Sequence, residues 1–147
     1  MNPQFSVLLV EDSEEDGFLF RRALAKLDRT VALHWVRDAP EAQRFLLGEG
    51  EYANRVQHPL PGVIFCDLSL PGRSGLEFLQ WLRAQPALKT IPCLIYSGSA
   101  NPADVQTAYE CGVTSFVVKP TDFREWNSRI EVILKFWKDI AQRPSLD

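Results

Sequence analysis

The sequence predicts one α/β domain built as a doubly wound, five-stranded parallel sheet with helices on both faces. Three observations carry that prediction. Apolar runs without polar alternation recur along the chain, as expected of strands covered on both sides. Each run is followed by a turn and then by apolar residues at helical spacing, so strand and helix alternate. Most of the runs also stop at a charged or hydroxyl residue, and ligands of open α/β sheets bind outside the carboxyl ends of the strands.

The elements follow in order. Residues 5–10 (FSVLLV) form the first strand and end at Glu11-Asp12. Asp12 or Ser13 can cap the next helix, whose first turn holds Glu14, Glu15 and Asp16, where carboxylates complement the helix dipole. Phe18, Leu19, Ala23, Leu24 and Leu27 give that helix its core face. Residues 31–36 are of mixed polarity and read as an edge strand; Asp38-Ala39-Pro40-Glu41 then opens a second helix carrying Ala42, Phe45 and Leu46. Residues 48–62, rich in glycine, proline and polar side chains, are long for a connection and read as a surface insertion or docking loop.

Val63-Ile64-Phe65-Cys66 is the most apolar stretch before a lone acid, Asp67, and Pro71-Gly72-Arg73-Ser74-Gly75 is turn chemistry. Leu76, Phe78, Leu79 and Leu82 mark a third helix ended by Pro86. Residues 91–96 (IPCLIY) lead into Ser97-Gly98-Ser99, and Asn101-Pro102 starts a fourth helix that Gly112 ends. Residues 113–118 form the fifth strand, stopping at Lys119-Pro120, and Thr121 or Asp122 caps a last helix reaching to about residue 142. The domain core is thus expected over 5–142, within a single domain of 1–147, with a flexible tail at 143–147.

With 147 residues, 46% of them hydrophobic, the chain can bury one good core. A net charge of −3 offers no general attraction for nucleic acid or an anionic membrane, so neither is expected as a partner. No apolar run approaches the roughly 20 residues that span a bilayer, and the N-terminus lacks a secretory layout, so a cytoplasmic location is expected. Cys66, Cys93 and Cys111 lie in or beside apolar runs with no Cys-x-x-Cys spacing and read as reduced thiols.

Parallel strands would bring Glu11-Asp12, Asp67, Ser97 and Lys119 to one edge. Two carboxylates about 4 Å apart repel by on the order of 4 kcal/mol at an effective dielectric near 20, so Asp12 and Asp67 would need a shared proton or a cation. An all-oxygen site with room for water suits Mg2+, whereas zinc would want His or Cys. Lys119, Ser97 and the backbone N–H groups of the Ser97-Gly98-Ser99 turn add an anion site, and a phosphoryl group is the guest that fits both.

The acid pair Glu11-Asp12, the Asp67-Leu68-Ser69-Leu70-Pro71-Gly72 turn with Gly75, the Ser97-Gly98 turn and Lys119-Pro120 resemble the receiver domain of two-component response regulators, over about residues 5–142. The resemblance implies a CheY-like, flavodoxin-like strand order 2-1-3-4-5. It implies that Asp67 accepts a phosphoryl group from a phosphohistidine on a sensor histidine kinase or a histidine phosphotransfer protein. Asp12, Asp67 and the Ser69 carbonyl, with Glu11 through water, would hold Mg2+. Lys119 and Ser97 would contact the phosphoryl oxygens, and Ser97 with Phe116 would form the switch. A cis peptide at Lys119–Pro120 is also implied. Such a domain is not a turnover enzyme, although it supports its own phosphorylation and slow dephosphorylation.

Ser97 stands where threonine is more frequent in that family, and Ser74 where Asp or Asn is common. The long loop before Asp67, the Leu-x-Leu-Pro run and Phe136-Trp137 resemble single-domain regulators paired with phytochrome-type kinases. Without a segment for a DNA-binding module after the last helix, output is expected through protein contacts, with a phosphorelay or phosphate-sink role as the alternative.

Singly, the acids read as helix-start and turn residues, Ser97 as a turn serine and Lys119 as a solvated charge; their meeting at one edge is what gives them weight. His34 and His58 have no partner at ligand spacing and are assigned no role. The last helix carries more apolar residues than one stripe needs; Trp126, Ile130 and Ile133 or Leu134 suit the core, and Phe136 and Trp137 suggest a homodimer through this helix. A haloacid-dehalogenase-type phosphatase shares the order Asp67, Ser97, Lys119, but it needs an acid two residues after the nucleophile, where this chain has Ser69.

Overall fold

Five parallel strands form one sheet, with the first strand in the chain between the second and the third, and the fourth and fifth beyond, the order that the resemblance to receiver domains implies. The computed structural model describes residues 5–146. The strands are β1 (Ser6–Val10), β2 (Ala32–Val36), β3 (Val63–Asp67), β4 (Cys93–Ser97) and β5 (Ser115–Val118). Between and after them run α1 (Glu14–Leu27), α2 (Ala39–Leu47), α3 (Gly75–Ala84), α4 (Pro102–Glu110) and α5 (Phe123–Lys135).

The unbroken apolar runs have a direct cause. Successive side chains of a strand point to opposite faces, and here both faces are covered. Leu8, Val10, Ile64 and Cys66 pack with Phe45, Phe78, Leu79 and Ala108 from α2, α3 and α4. Val7, Leu9, Val63 and Phe65 pack with Phe20, Leu24, Trp126 and Ile130 from α1 and α5. β2 lies at the sheet edge, in keeping with its mixed polarity.

Side-chain caps set where the helices begin, and so where the strand-to-helix loops lie. Ser13, Asp38, Ser74, Asn101 and Asp122 each accept a bond from a backbone N–H of the following turn. α2 ends at Gly48 in the left-handed conformation, φ 70°. The insertion that follows is anchored: it contains a 3-10 turn at Gly50–Ala53, and Arg55 donates to the carbonyls of Phe45 and Leu46, capping α2.

Past α5 the chain stays helical to Ile140, close to the end expected near residue 142. The regular helix ends at Lys135, and a π-helical turn, Phe136–Ile140, completes it, with Ala141 N–H bonded to the Phe136 carbonyl at 2.7 Å. The segment from Arg143 makes defined contacts. The Arg143 guanidinium bonds the carbonyl of Trp137 at 2.6 Å and lies 4.6 Å from the Phe5 ring centroid, and Leu146 packs against the core. Here one arginine both satisfies helix-terminal carbonyls and stacks on an aromatic ring, a pairing that composition does not reveal. Asp147 lies outside the described residues.

Candidate functional site

The site is built by the sheet ladder continuing past the strands. Glu11 N–H donates to the Val36 carbonyl, Leu68 N–H to Tyr96 and Lys119 N–H to Ser97, at 3.0, 2.9 and 2.7 Å. Within the ladder Asp67 is level with Tyr96, and Ser97 with Val118. The carboxyl ends of β1, β3, β4 and β5 therefore present Glu11-Asp12, Asp67, Ser97 and Lys119 along one edge.

Three of these acids converge. Glu11, Asp12 and Asp67 each place a carboxylate oxygen within 4.8 Å of the other two. Glu11 is buried, Asp12 exposed and Asp67 half-buried, so the cluster opens to solvent on the Asp12 side. Burial, helped by the nearby Asp67 and Asp16 charges, pushes the Glu11 carboxyl up to about 7, against the pull of bonds from Ser13 N–H and the Tyr96 hydroxyl. Asp67 is also raised, chiefly by burial and also by Asp12, while the Ser69 N–H, Glu11 and Lys119 hold it down. Two neighbouring carboxyls that favour retaining a proton form a site short of positive charge. A divalent cation supplies that charge, and the all-oxygen donor set fits a hard ion.

The turn after Asp67 is shaped by backbone contacts. Ser69 N–H donates to Asp67 Oδ1 at 3.0 Å, and Gly75 N–H donates to the Leu68 carbonyl at 2.7 Å. A β-carbon at residue 75 would collide with the Asp67 carbonyl oxygen, which is backbone and cannot yield. Glycine there lets the start of α3 close on the acid.

The other predicted residues are placed as follows. The Ser97 hydroxyl sits at the same edge and accepts from Ser99 N–H at 3.1 Å. Phe116 is half-buried against the core on the α3 and α4 side, and its N–H donates to the Tyr109 hydroxyl at 3.3 Å. Lys119 pairs with Asp16 at 2.7 Å, a residue read from sequence only as a helix-start acid.

The expected cis bond before Pro120 is corrected: among the described residues every peptide bond is trans. Trans is the preferred isomer of X–Pro by about 0.5–1 kcal/mol. In this isomer the Lys119 N–H reaches Ser97 and its ammonium reaches Asp16.

Sequence reasoning missed two supporting side chains. The Tyr96 hydroxyl donates to Glu11 Oε1 at 2.8 Å, and Trp35 Nε1–H donates to the Glu11 carbonyl at 2.7 Å. Tyr96 lies in an apolar run that reads as core and Trp35 in an edge strand of mixed polarity, and nothing local marks either as a polar partner.

Comparison with known proteins gives a consistent result. A family model described as the response regulator receiver domain matches residues 7–131. The response regulator Rcp1 of Synechocystis is 33% identical over 144 residues, covering 98% of this chain and 96% of that protein. The crystal structure of the phosphorylated cyanobacterial phytochrome response regulator RcpA superposes with a TM-score of 0.90 at 34% identity, covering 97% of this chain and all of that one (100%). The Mn2+-bound form of Rcp1 gives 0.85 at 33% identity, with coverage of 97% and 100%.

Proposed function

The chain belongs to the response regulator receiver family, and from that premise we propose that it accepts a phosphoryl group on Asp67 from the phosphohistidine of a sensor histidine kinase of phytochrome type. The observation that carries the reading is the gathering of Glu11, Asp12 and Asp67 at one solvent-reaching edge. The likeness to RcpA, described as a phytochrome response regulator, supports the class of kinase.

In the transfer an Asp67 carboxylate oxygen forms a bond to phosphorus as the P–N bond to the donor imidazole breaks. The leaving nitrogen keeps the bonding pair and remains on the kinase. Because the transition state spreads charge over the phosphoryl oxygens, catalysis is positioning and charge neutralisation. Ser69 N–H orients Asp67 through Oδ1. Asp12, Asp67 and the Ser69 carbonyl, with Glu11 through water, would hold Mg2+, which would supply positive charge to offset that of the phosphoryl group. Lys119 supplies a second positive charge, and the Ser97 hydroxyl a hydrogen bond. Ser97 and Phe116 then relay the modification to the face formed by α4, β5 and α5.

Exposed apolar residues favour a homodimer through the last helix. Val132, Phe136 and Ile140 are exposed at a spacing of four, 68%, 45% and 73% accessible. Glu131, Lys135, Lys138 and Asp139 lie beside them in the chain. A surface with an apolar stripe and both signs of charge can match its own copy across a two-fold axis.

The test is phosphoryl transfer from a candidate kinase, or from acetyl phosphate with Mg2+. Wild type takes up label and Asp67→Asn takes up none; undiminished uptake by the variant would show that another residue is the acceptor.

A further inference from the structure

Lys119 has more than one acid within its field. Its ammonium rests 2.7 Å from Asp16 Oδ1, with the two side chains 22% and 30% accessible. Lys119 is also among the charges that hold down Asp67, and Asp16 among those that raise Glu11. One ammonium therefore acts on two carboxylates, the α1 one that it bonds and the Asp67 one that it only influences.

Asp16 is not needed merely to start α1. Ser13 caps that helix, and Glu14 and Glu15 supply acid to the first turn. Glu14 faces outward toward Arg37 at 3.8 Å. Nor is Asp16 part of the convergent oxygen cluster, which consists of Glu11, Asp12 and Asp67. Its distinguishing contact is with Lys119. The Lys119 backbone is fixed by its bond to the Ser97 carbonyl, so any change of partner must come from rotation of its side chain.

We propose that Asp16 is a positioning residue that holds Lys119 at the rim of the site in the unmodified protein, so that a phosphoryl group on Asp67 must compete with it for the ammonium. The inference rests on the phosphoacceptor reading given above. A phosphoryl group carries close to two negative charges and three acceptor oxygens, and Asp16 one charge, so the lysine transfers on modification. Asp16 then tunes the modified state without preventing it, and its release ties the start of α1 to events at Asp67. A partly exposed ion pair is worth roughly a two- to fivefold change in an equilibrium.

The experiment titrates beryllofluoride, a phosphoryl mimic for aspartate, at saturating Mg2+. Asp16→Asn is expected to bind it roughly two- to fivefold more tightly than wild type, and Asp16→Glu to restore most of the difference. In a Lys119→Met background Asp16→Asn should have no effect. An equal gain without the lysine, or no gain with it, overturns the role given to Asp16. In parallel, ammonium-selective NMR of the metal-free protein should show a Lys119 signal that Asp16→Asn shifts or broadens; an unchanged signal overturns the pairing. Absence of beryllofluoride binding by wild type would overturn the phosphoacceptor reading and the competition with it, a result distinct from normal binding that Asp16→Asn leaves unaltered.

Discussion

The Tyr96 hydroxyl donates to Glu11 Oε1 at 2.8 Å, joining β4 to the acid pair at the end of β1. The bond is buried, and Ser13 N–H occupies the other carboxylate oxygen at 3.1 Å. Removing the hydroxyl leaves Oε1 without that donor in a place water reaches poorly. An unsatisfied buried polar group costs about 1–3 kcal/mol. Tyr96→Phe should lower stability by about that amount in urea denaturation, and should weaken Mg2+ binding, because one of the bonds favouring the charged form of Glu11 is gone.

A pH effect follows from Glu11 itself. Its carboxyl is raised from 4.5 to about 7 by burial, so between those values the native state holds a proton that the unfolded chain releases. Stability drawn from this group is fully present below about 4.5 and is lost as pH rises through about 7. In EDTA, Glu11→Gln should therefore gain stability relative to wild type as pH is raised from 4.5 to 7.5. Mg2+ should oppose the wild-type loss, since it favours the ionised carboxyl, and its affinity should rise over the same interval. Urea midpoints at several pH values, with and without the metal, give the comparison.

What the sequence disclosed and what it withheld divide along physical lines. The parallel sheet and the converging acids were legible because unbroken apolar runs ending in Asp67 or Glu11-Asp12 report burial on both faces and a shared edge, whereas the strand order came only from the resemblance to receiver domains. Partners far apart in the chain were not. Asp16 and Lys119, or Tyr96 and Glu11, meet only through sheet register and helix rotation, which periodicity leaves open. His34 and His58, assigned nothing, prove to lie in one aromatic cluster with Phe45 of α2 and Tyr52 of the 48–62 insertion, with ring centroids 5.0–6.0 Å apart. Arg55, an ordinary surface residue by sequence, pins that insertion to α2.

Gly17 shows a close approach that dictates residue choice. A β-carbon there would strike the Trp35 ring. That ring donates to the Glu11 carbonyl and lies 3.9 Å beneath the Arg37 guanidinium. Gly17→Ala improves intrinsic helix propensity by up to about 1 kcal/mol, but it overpacks the contact between α1 and β2, which typically costs about 1–3 kcal/mol. The expected outcome is a net loss of stability with a red-shifted, more exposed Trp35 emission. A Gly17→Ala protein as stable as wild type would mean that the ring moves aside freely.

The exposed stripe on the last helix gives the final prediction. Trp126, Ile130 and Leu134 already supply the buried face of α5, so Val132, Phe136 and Ile140 are surplus to the core of one chain. If they bury one another across a two-fold axis, a charge among them should separate the copies while leaving each fold intact. Val132 is 68% accessible, so Val132→Asp should change monomer stability by no more than about 0.5 kcal/mol. Light scattering should find wild type as a dimer and Val132→Asp as a monomer, with the comparison repeated in the presence of beryllofluoride because this face includes the helix that follows β5. A wild-type mass equal to one chain under both conditions would exclude pairing through this helix and leave the stripe to a different protein partner.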